Sequence, residues 1–253
     1  TVRCGPMNAG PMDAMIPGLA GFPGATGVTR LWVYDWPTAD GLAGGSPHLH
    51  TASAEGYVVL SGRGAVQTLS GDGYASHELA EGDLVWFTPG TVHRLVNEQN
   101  LEILVVMQNA GLPEAGDAVL TFPPEILADP EAYARAATLP PWSVGEAAVA
   151  AAARARRDLA IEGYLSLVDR VRAEGPDALR ALYDAAARLV AGRTAEWEAR
   201  WRNGAAAQAA ATRDHLAALA AGDGTHLRAS VVRRRAAASP PWCASTRNTI
   251  SAI

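Results

Sequence analysis

The first half of the chain consists of short runs of alternating apolar and polar residues, separated by glycine-rich and aspartate-rich turns. Alternation places successive side chains on opposite faces of a strand. Residues 70–73 (SGDG) supply a turn between two such runs. Many short strands at this spacing predict a β-sandwich or barrel. The predicted strands cover residues 28–34, 57–60, 65–69, 76–79, 84–87, 93–96 and 101–107.

The pattern changes to a helical one after residues 122–124 (FPP). Asp129 followed by Pro130 predicts a helix start, and Ser143 with Glu146 forms a capping-box pattern. Apolar residues then recur every three or four positions, which is typical of amphipathic helices. The helices are expected at residues 146–173, across a stripe at 179–190, and at about 205–221.

These patterns divide the chain into three parts. Residues 1–27 are rich in Gly, Pro and Met and form an irregular arm. Residues 28–125 form the β-rich part, and residues 126–253 form an all-α C-terminal extension whose end, after residue 239, is expected to fray. Within the extension, Trp197 and Trp201 lie one helical turn apart and are interpreted as packing residues.

Composition and charge restrict the function. The chain is 49% hydrophobic and 19% charged, and it contains no apolar run long enough to cross a membrane. Residues 1–125 carry 4 Arg against 13 Asp and Glu, which argues against nucleic acid as the partner of that half. Cys4 and Cys243 lie at opposite ends of the chain. This spacing and the absence of a secretion-type start indicate a reducing, cytoplasmic setting.

The candidate chemistry lies in three histidines and one carboxylate. His48 and His50 are two residues apart, so on a strand both imidazoles point to the same face. Glu55 follows with the opposite parity, and a loop or bulge at residues 51–54 must return it to that face. His93 completes the set. Three imidazoles and a carboxylate suit a divalent transition metal, with Fe favoured over Mn, Ni or Zn.

The residues around these ligands resemble the two signature motifs of the cupin superfamily. Residues 41–62 read GLAGGSPHLHTASAEGYVVLSG, and residues 82–97 read GDLVWFTPGTVHRLVN. Thr88 replaces the proline that is usual in the second motif. The resemblance implies a double-stranded β-helix, or jelly-roll, barrel with one metal inside, and a homodimer. The residues that match the two motifs are His48, His50, Glu55, Gly62, Gly82, Gly90, His93 and Asn97.

The reaction stays open between three hypotheses. The first is a metal-dependent enzyme acting on a small molecule, with Fe(II) dioxygenase-like oxidation as the preferred chemistry. The second is a redox-neutral sugar isomerase or lyase that uses the same metal site. The third is a cupin that binds or senses a small molecule without turnover.

Several other residues are candidates for the wall of the barrel cavity. Tyr57 and Gln67 are the predicted pocket residues, and Trp32 and Tyr34 share one face of the first strand. One residue of this group is expected to contact the substrate. Arg94 follows His93 directly, so its side chain should point away from the metal. The helical extension is expected to pack on the barrel or on a partner subunit and to supply no metal ligand.

Overall fold

The computed structural model describes residues 22–232. Its β-rich part contains seven strands in one antiparallel sheet that curls into a barrel. The strand order is β4-β3-β6-β2-β7, while β1 adds to β6 and β5 adds to β3. The strands are β1 (Gly27–Trp32), β2 (His48–His50), β3 (Glu55–Ser70), β4 (Gly73–Ala80), β5 (Leu84–Phe87), β6 (Val92–Met107) and β7 (Ala118–Leu120).

Two long bent strands connect the halves of the barrel. The first part of β3 pairs with β5 and with the end of β6, whereas its second part pairs with β4 and with the start of β6. The pairing register shifts between Val59 and Gly64, where the strands bend. Gly62 lies at this bend with φ 82°, and a Cβ there would collide with the backbone carbonyls of Gln99 and Asn100. Only glycine fits this position without strain.

This architecture confirms the predicted jelly-roll barrel with a helical region after it. The sequence pattern divided β3 and β6 into shorter runs, because glycine and polar residues interrupt the alternation at the bend. The turn at residues 70–73 is present, with β4 beginning at Gly73.

The C-terminal region contains six α-helices within the described residues. Asp129 caps α2 as expected, since its side chain accepts a hydrogen bond from the backbone N–H of Glu131 (2.9 Å). Ser143 does not cap the long helix α3: Gly145 occupies the N-cap, and Ser143 lies inside a separate 3₁₀ turn. The helices are α1 (Pro124–Leu127), α2 (Pro130–Ala137), α3 (Glu146–Glu174), α4 (Arg180–Val190), α5 (Thr194–Trp201) and α6 (Ala207–Ala220).

The helices pack directly on the barrel. A continuous apolar core includes Leu49 and Leu120 of the barrel together with Tyr164 and Leu182 of α3 and α4. Gly163 allows α3 to approach the end of β7, because a Cβ there would collide with the Thr121 and Phe122 backbone. Burying the apolar stripes of α3 and α4 in this way supplies the stabilisation that isolated helices lack.

Other expectations fall in part outside the described residues. Residues 1–21 of the predicted arm and the tail after residue 239 are not described. Trp197 is buried in the shared core, whereas Trp201 is 45% exposed, so only the first is a packing residue here. Among residues 22–232, no helix has the length and apolarity that a membrane span requires.

Candidate metal centre

Three strands bring the predicted ligands together. β2 carries His48 and His50, and β6 carries His93 directly opposite His48 in the antiparallel register. Residues 51–54 leave the sheet as the connection between β2 and β3, which lets Glu55 begin β3 beside the histidines. All four side chains are buried.

The four ligand-type atoms converge on one point. One atom from each of His48, His50, Glu55 and His93 lies within 4.8 Å of the others. The Nε2 atom of His93 lies 3.1 Å from Nε2 of His48 and 2.9 Å from a carboxylate oxygen of Glu55. Nε2 of His50 lies 3.2 Å from the same oxygen. Atoms at these separations can share one ion at roughly 2.0–2.2 Å from each.

The other nitrogen of each imidazole faces an acceptor. Nδ1 of His48 lies 2.9 Å from the carbonyl of Ser46, and Nδ1 of His93 lies 3.0 Å from the carbonyl of Thr91. These contacts favour protonation at Nδ1 and leave Nε2 free as a metal ligand. For His50 the corresponding neighbour is the buried Asp117 carboxylate, 3.4 Å from Nδ1.

Asp117 is a residue that sequence reasoning missed. It precedes β7, and the pairing of His50 with Ala118 brings it beside the imidazole. Its Oδ1 accepts hydrogen bonds from the backbone N–H groups of Thr51 (2.8 Å) and Ala52 (2.7 Å) and from the Thr51 hydroxyl (2.6 Å). No local motif marks this position, because the contact depends on the pairing of two strands distant in sequence.

The electrostatics of the cluster favour a positive charge at its centre. Burial and the neighbouring imidazoles hold the pKa of His48 well below its ordinary value. Burial opposes the charged forms of Glu55 and His50, but their interaction outweighs it. The pKa of Glu55 is therefore lowered by His93 and His50, and the pKa of His50 is raised to about 9 by Asp117 and Glu55.

Two buried polar atoms support a metal interpretation of this cluster. Nε2 of His50 and Oε2 of Glu55 have no hydrogen bond in the described structure, although both are inaccessible to solvent. Buried polar atoms without a partner are unfavourable, and a coordinated cation would satisfy both atoms at once. The donor set of three imidazoles and one carboxylate fits a divalent transition metal.

A cavity of about 580 Å³, counting its open mouth, lies beside the cluster. Tyr57, Trp32 and Tyr34 all line it. Burial and the neighbouring Glu55 raise the pKa of Tyr57 well above its ordinary value, so its hydroxyl stays protonated. The remaining lining residues are Leu31, Val33, Gly45, Ser46, His48, Glu55, His93, Leu95, Leu120 and Arg156.

Gln67 and Arg94 lie on the outer face of the barrel. They are opposite each other in the β3–β6 register, one position away from the Thr68–His93 pair. Side chains alternate along a strand, so Arg94 points to the opposite side from His93. Gln67, which is paired with Arg94, points to that same outer side. Gln67 accepts a hydrogen bond from the Tyr164 hydroxyl (3.4 Å) and is not among the residues that line this cavity, so its role in the site stays a prediction.

The fold and the buried ligand set define a jelly-roll protein with a metal-type centre inside the barrel. Residues 39–107 match the family model described as a cupin domain. The barrel of this chain is a cupin domain, and the resemblance of its motifs to the cupin superfamily is confirmed. No curated protein matches the chain.

Several solved structures share part of the barrel. Streptomyces PAC13 with uridine is 18% identical, covering 36% of this chain and 65% of that chain, with a TM-score of 0.28. A putative sugar phosphate isomerase from Acidithiobacillus ferrooxidans is 25% identical over 33% of this chain and 49% of that chain (TM-score 0.26). The TDP-quinovose 3,4-ketoisomerase WlaRB from Campylobacter jejuni is 15% identical over 32% and 61% (TM-score 0.27). The chain therefore spans less than two thirds of each of these proteins.

Proposed function

We propose that this protein is a metal-dependent enzyme that converts a small molecule in the barrel cavity. The observation that carries the proposal is the buried convergence of His48, His50, Glu55 and His93 within 4.8 Å beside an open cavity. Four protein ligands leave two positions of an octahedral ion for other groups. A divalent ion held there would supply Lewis acidity and a place where substrate and dioxygen can meet.

The cavity walls favour oxidation over acid–base chemistry. Most of the lining side chains are apolar or aromatic, including Leu31, Val33, Leu95 and Leu120. Apart from the four proposed ligands, the described lining offers no carboxylate or imidazole that could serve as a general base. Fe(II)-dependent dioxygenase-like chemistry needs no such group from the wall, and we propose it as the reaction class.

A redox-neutral isomerase or lyase is the second candidate, and Tyr57 favours it. Its buried, protonated hydroxyl lies in the cavity next to Glu55 and can donate a proton to a leaving group or a developing oxyanion. In that reaction Tyr57 would be the acid, and its replacement by phenylalanine would remove most of the activity.

Metal analysis followed by oxygen uptake tests these proposals. The protein is purified without oxygen, its metal content is measured, and oxygen consumption is followed with a panel of small organic substrates. Bound iron with substrate-dependent oxygen uptake supports the dioxygenase proposal. Turnover without oxygen uptake supports the redox-neutral reaction, and tight binding without turnover supports a sensing or carrier role.

Replacing one proposed ligand tests the metal site, and the same replacement at a distant carboxylate serves as the control. Glu55→Gln keeps the size of the side chain and removes its charge, so it should lose most of the metal. Asp83→Asn makes the same chemical change in an exposed turn, where Asp83 accepts a hydrogen bond from Ala80. Equal metal content in both variants would contradict the proposed site.

We also propose that the protein forms homodimers. The strand β5 lies at the edge of the sheet and exposes Leu84 (67%) and Trp86 (76%). Large exposed apolar side chains on an edge strand are unfavourable unless a partner covers them. Light scattering of the wild type and of Trp86→Glu tests this, since the variant should be monomeric.

A further inference from the structure

Arg156 brings the helical region into the cavity of the barrel. It lies on α3, outside the segment that matches the cupin domain, and its side chain lines the same cavity as Glu55 and His93. The neighbouring wall contains Tyr34 and Leu120. The helices thus provide part of the site as well as a packing surface.

The guanidinium of Arg156 has few partners. Its Nη1 donates one hydrogen bond to the carbonyl of Ala137 (3.2 Å), while its Nε is buried without any hydrogen bond. No carboxylate within residues 22–232 forms an ion pair with it. Burial lowers the pKa of Arg156, and the nearby Tyr34 and Tyr133 oppose that shift.

The two fully buried arginines, Arg94 and Arg157, are paired with carboxylates. Arg94 binds Asp40 through both terminal nitrogens and also donates to the hydroxyl of Thr38 (3.0 Å). Arg157 donates to the carbonyls of Trp36 and Pro37 (3.0 Å each) and binds Asp158 (2.7 Å). Arg94 and Arg157 each bind a carboxylate, whereas Arg156 lines the cavity without a carboxylate partner among residues 22–232.

Arg156 is partly buried, and a cation withdrawn from water without a counter-charge is stabilised when a ligand supplies that charge. We infer that Arg156 is a specificity-determining residue that binds an anionic group, a carboxylate or a phosphate, of the small molecule that occupies the cavity. Arginine suits this role because its planar fork pairs with both groups through two parallel hydrogen bonds.

The rest of the cavity defines the other features of this ligand. Its walls near Arg156 are apolar and aromatic, with Trp32, Tyr34 and Leu120 among them. They suit a hydrocarbon or aromatic body, whereas the cluster around Glu55 suits an oxygen-bearing end. The inference rests on the proposed function only in treating this ligand as the substrate, since the anion site itself needs no metal.

Ligand binding to the full chain tests the inference. The probes are benzoate, phenyl phosphate and the neutral analogue benzamide, and binding is measured by calorimetry in the presence of a chelator. Wild type should bind at least one of the two anions and not benzamide. Arg156→Gln should bind that anion about ten- to a hundred-fold more weakly, the usual effect of losing charged hydrogen bonds.

Arg135→Gln is the matched control, because Arg135 lies on the neighbouring helix α2 with a side chain 69% exposed. It should bind the anion like the wild type. Binding of benzoate alone assigns a carboxylate ligand, and binding of phenyl phosphate alone assigns a phosphate ligand. Failure of the wild type to bind either anion, or equal binding by Arg156→Gln and wild type, would overturn the inference.

The same protein samples separate this inference from the proposed metal chemistry. Metal content is measured in the wild type and in Arg156→Gln before the chelator is added. A protein without metal that still binds the anion through Arg156 would reject the proposed reaction and leave the anion site intact. A protein that contains metal but binds neither anion would overturn the anion site and leave the proposed metal chemistry in place.

Discussion

Replacing Asp117 with asparagine should weaken metal binding while the barrel stays folded. The Asp117 side chain is fully buried, and its Oδ2 lies 3.4 Å from Nδ1 of His50. Its Oδ1 accepts three hydrogen bonds from Thr51 and Ala52. An asparagine retains a carbonyl oxygen for those three bonds, but it presents an amide N–H₂ group to the imidazole.

That exchange changes which nitrogen of His50 carries the proton. The Asp117 carboxylate lies 3.4 Å from Nδ1 of His50, a position that favours a proton on Nδ1 and leaves Nε2, which is 3.2 Å from Glu55, unprotonated. The amide of an asparagine donates, and it therefore favours the tautomer in which Nδ1 accepts and Nε2 is protonated. A protonated Nε2 cannot coordinate a metal, so His50 must give up its preferred tautomer before binding.

The expected loss is about ten- to a hundred-fold in metal affinity, or about 1.4–2.7 kcal/mol, as for other carboxylates that orient a ligating histidine. Protein stability should change less, because the three hydrogen bonds to Oδ1 persist. Loss of the negative charge weakens them by about 1 kcal/mol in total.

The assay is a competition titration with a chromophoric chelator, using zinc as a redox-inert probe, together with urea unfolding of the metal-free protein. Asp83→Asn serves as the control, since its carboxylate lies in a turn remote from the site. An Asp117→Asn variant that binds zinc as tightly as wild type would refute the orienting role. A variant that unfolds without metal would show that Asp117 is primarily structural.

Three further predictions concern a metal ligand, the contact between α3 and the barrel, and the Arg94–Asp40 ion pair. His50→Ala should lose most of the bound metal and the activity but retain the fold, as measured by metal analysis and circular dichroism; wild-type metal content would contradict this. Gly163→Ala should lower the free energy of unfolding by about 1–2 kcal/mol in urea, because the added methyl collides with the Thr121 backbone. Arg94 lowers the pKa of Asp40 to about 2, so stability present above the ordinary value of 3.8 should fall as the pH drops towards 2. Its expected size is about 1 kcal/mol after solvent screening, and Asp40→Asn should abolish this pH dependence.

The four candidate ligands could be predicted from the sequence because two of them, His48 and His50, share a strand face and the motifs around all four resemble those of cupins. Two histidines at i and i+2 share a strand face in any sheet, and turn glycines fix where the neighbouring strands begin. The same alternation rule correctly placed Arg94 on the outside. It should also have placed Gln67 there, but this required knowing that Gln67 lies opposite Arg94 in the register.

The contacts that sequence reasoning missed are those between distant segments. Asp117 reaches His50 only through the pairing of β2 with β7. Ser143 loses its expected capping role because Gly145, two residues later, occupies the N-cap of α3. Neither register nor the exact start of a helix is fixed by the spacing of residue types. A single sequence therefore indicates which residues have the chemistry for a site. The pairing of distant segments in the fold determines which of those residues come into contact.

The barrel and the helical extension, which the sequence patterns separate, meet at the cavity. Sequence patterns separate the two halves, because one follows a period of two and the other a period near 3.6. In the structure, Gly163 brings α3 against the end of β7, and Arg156, two turns earlier on that helix, reaches the cavity. The packing that stabilises the helices thus also sets the position of a charged group beside the metal cluster. Changes at this interface should therefore affect ligand binding even where they leave the four proposed metal ligands untouched.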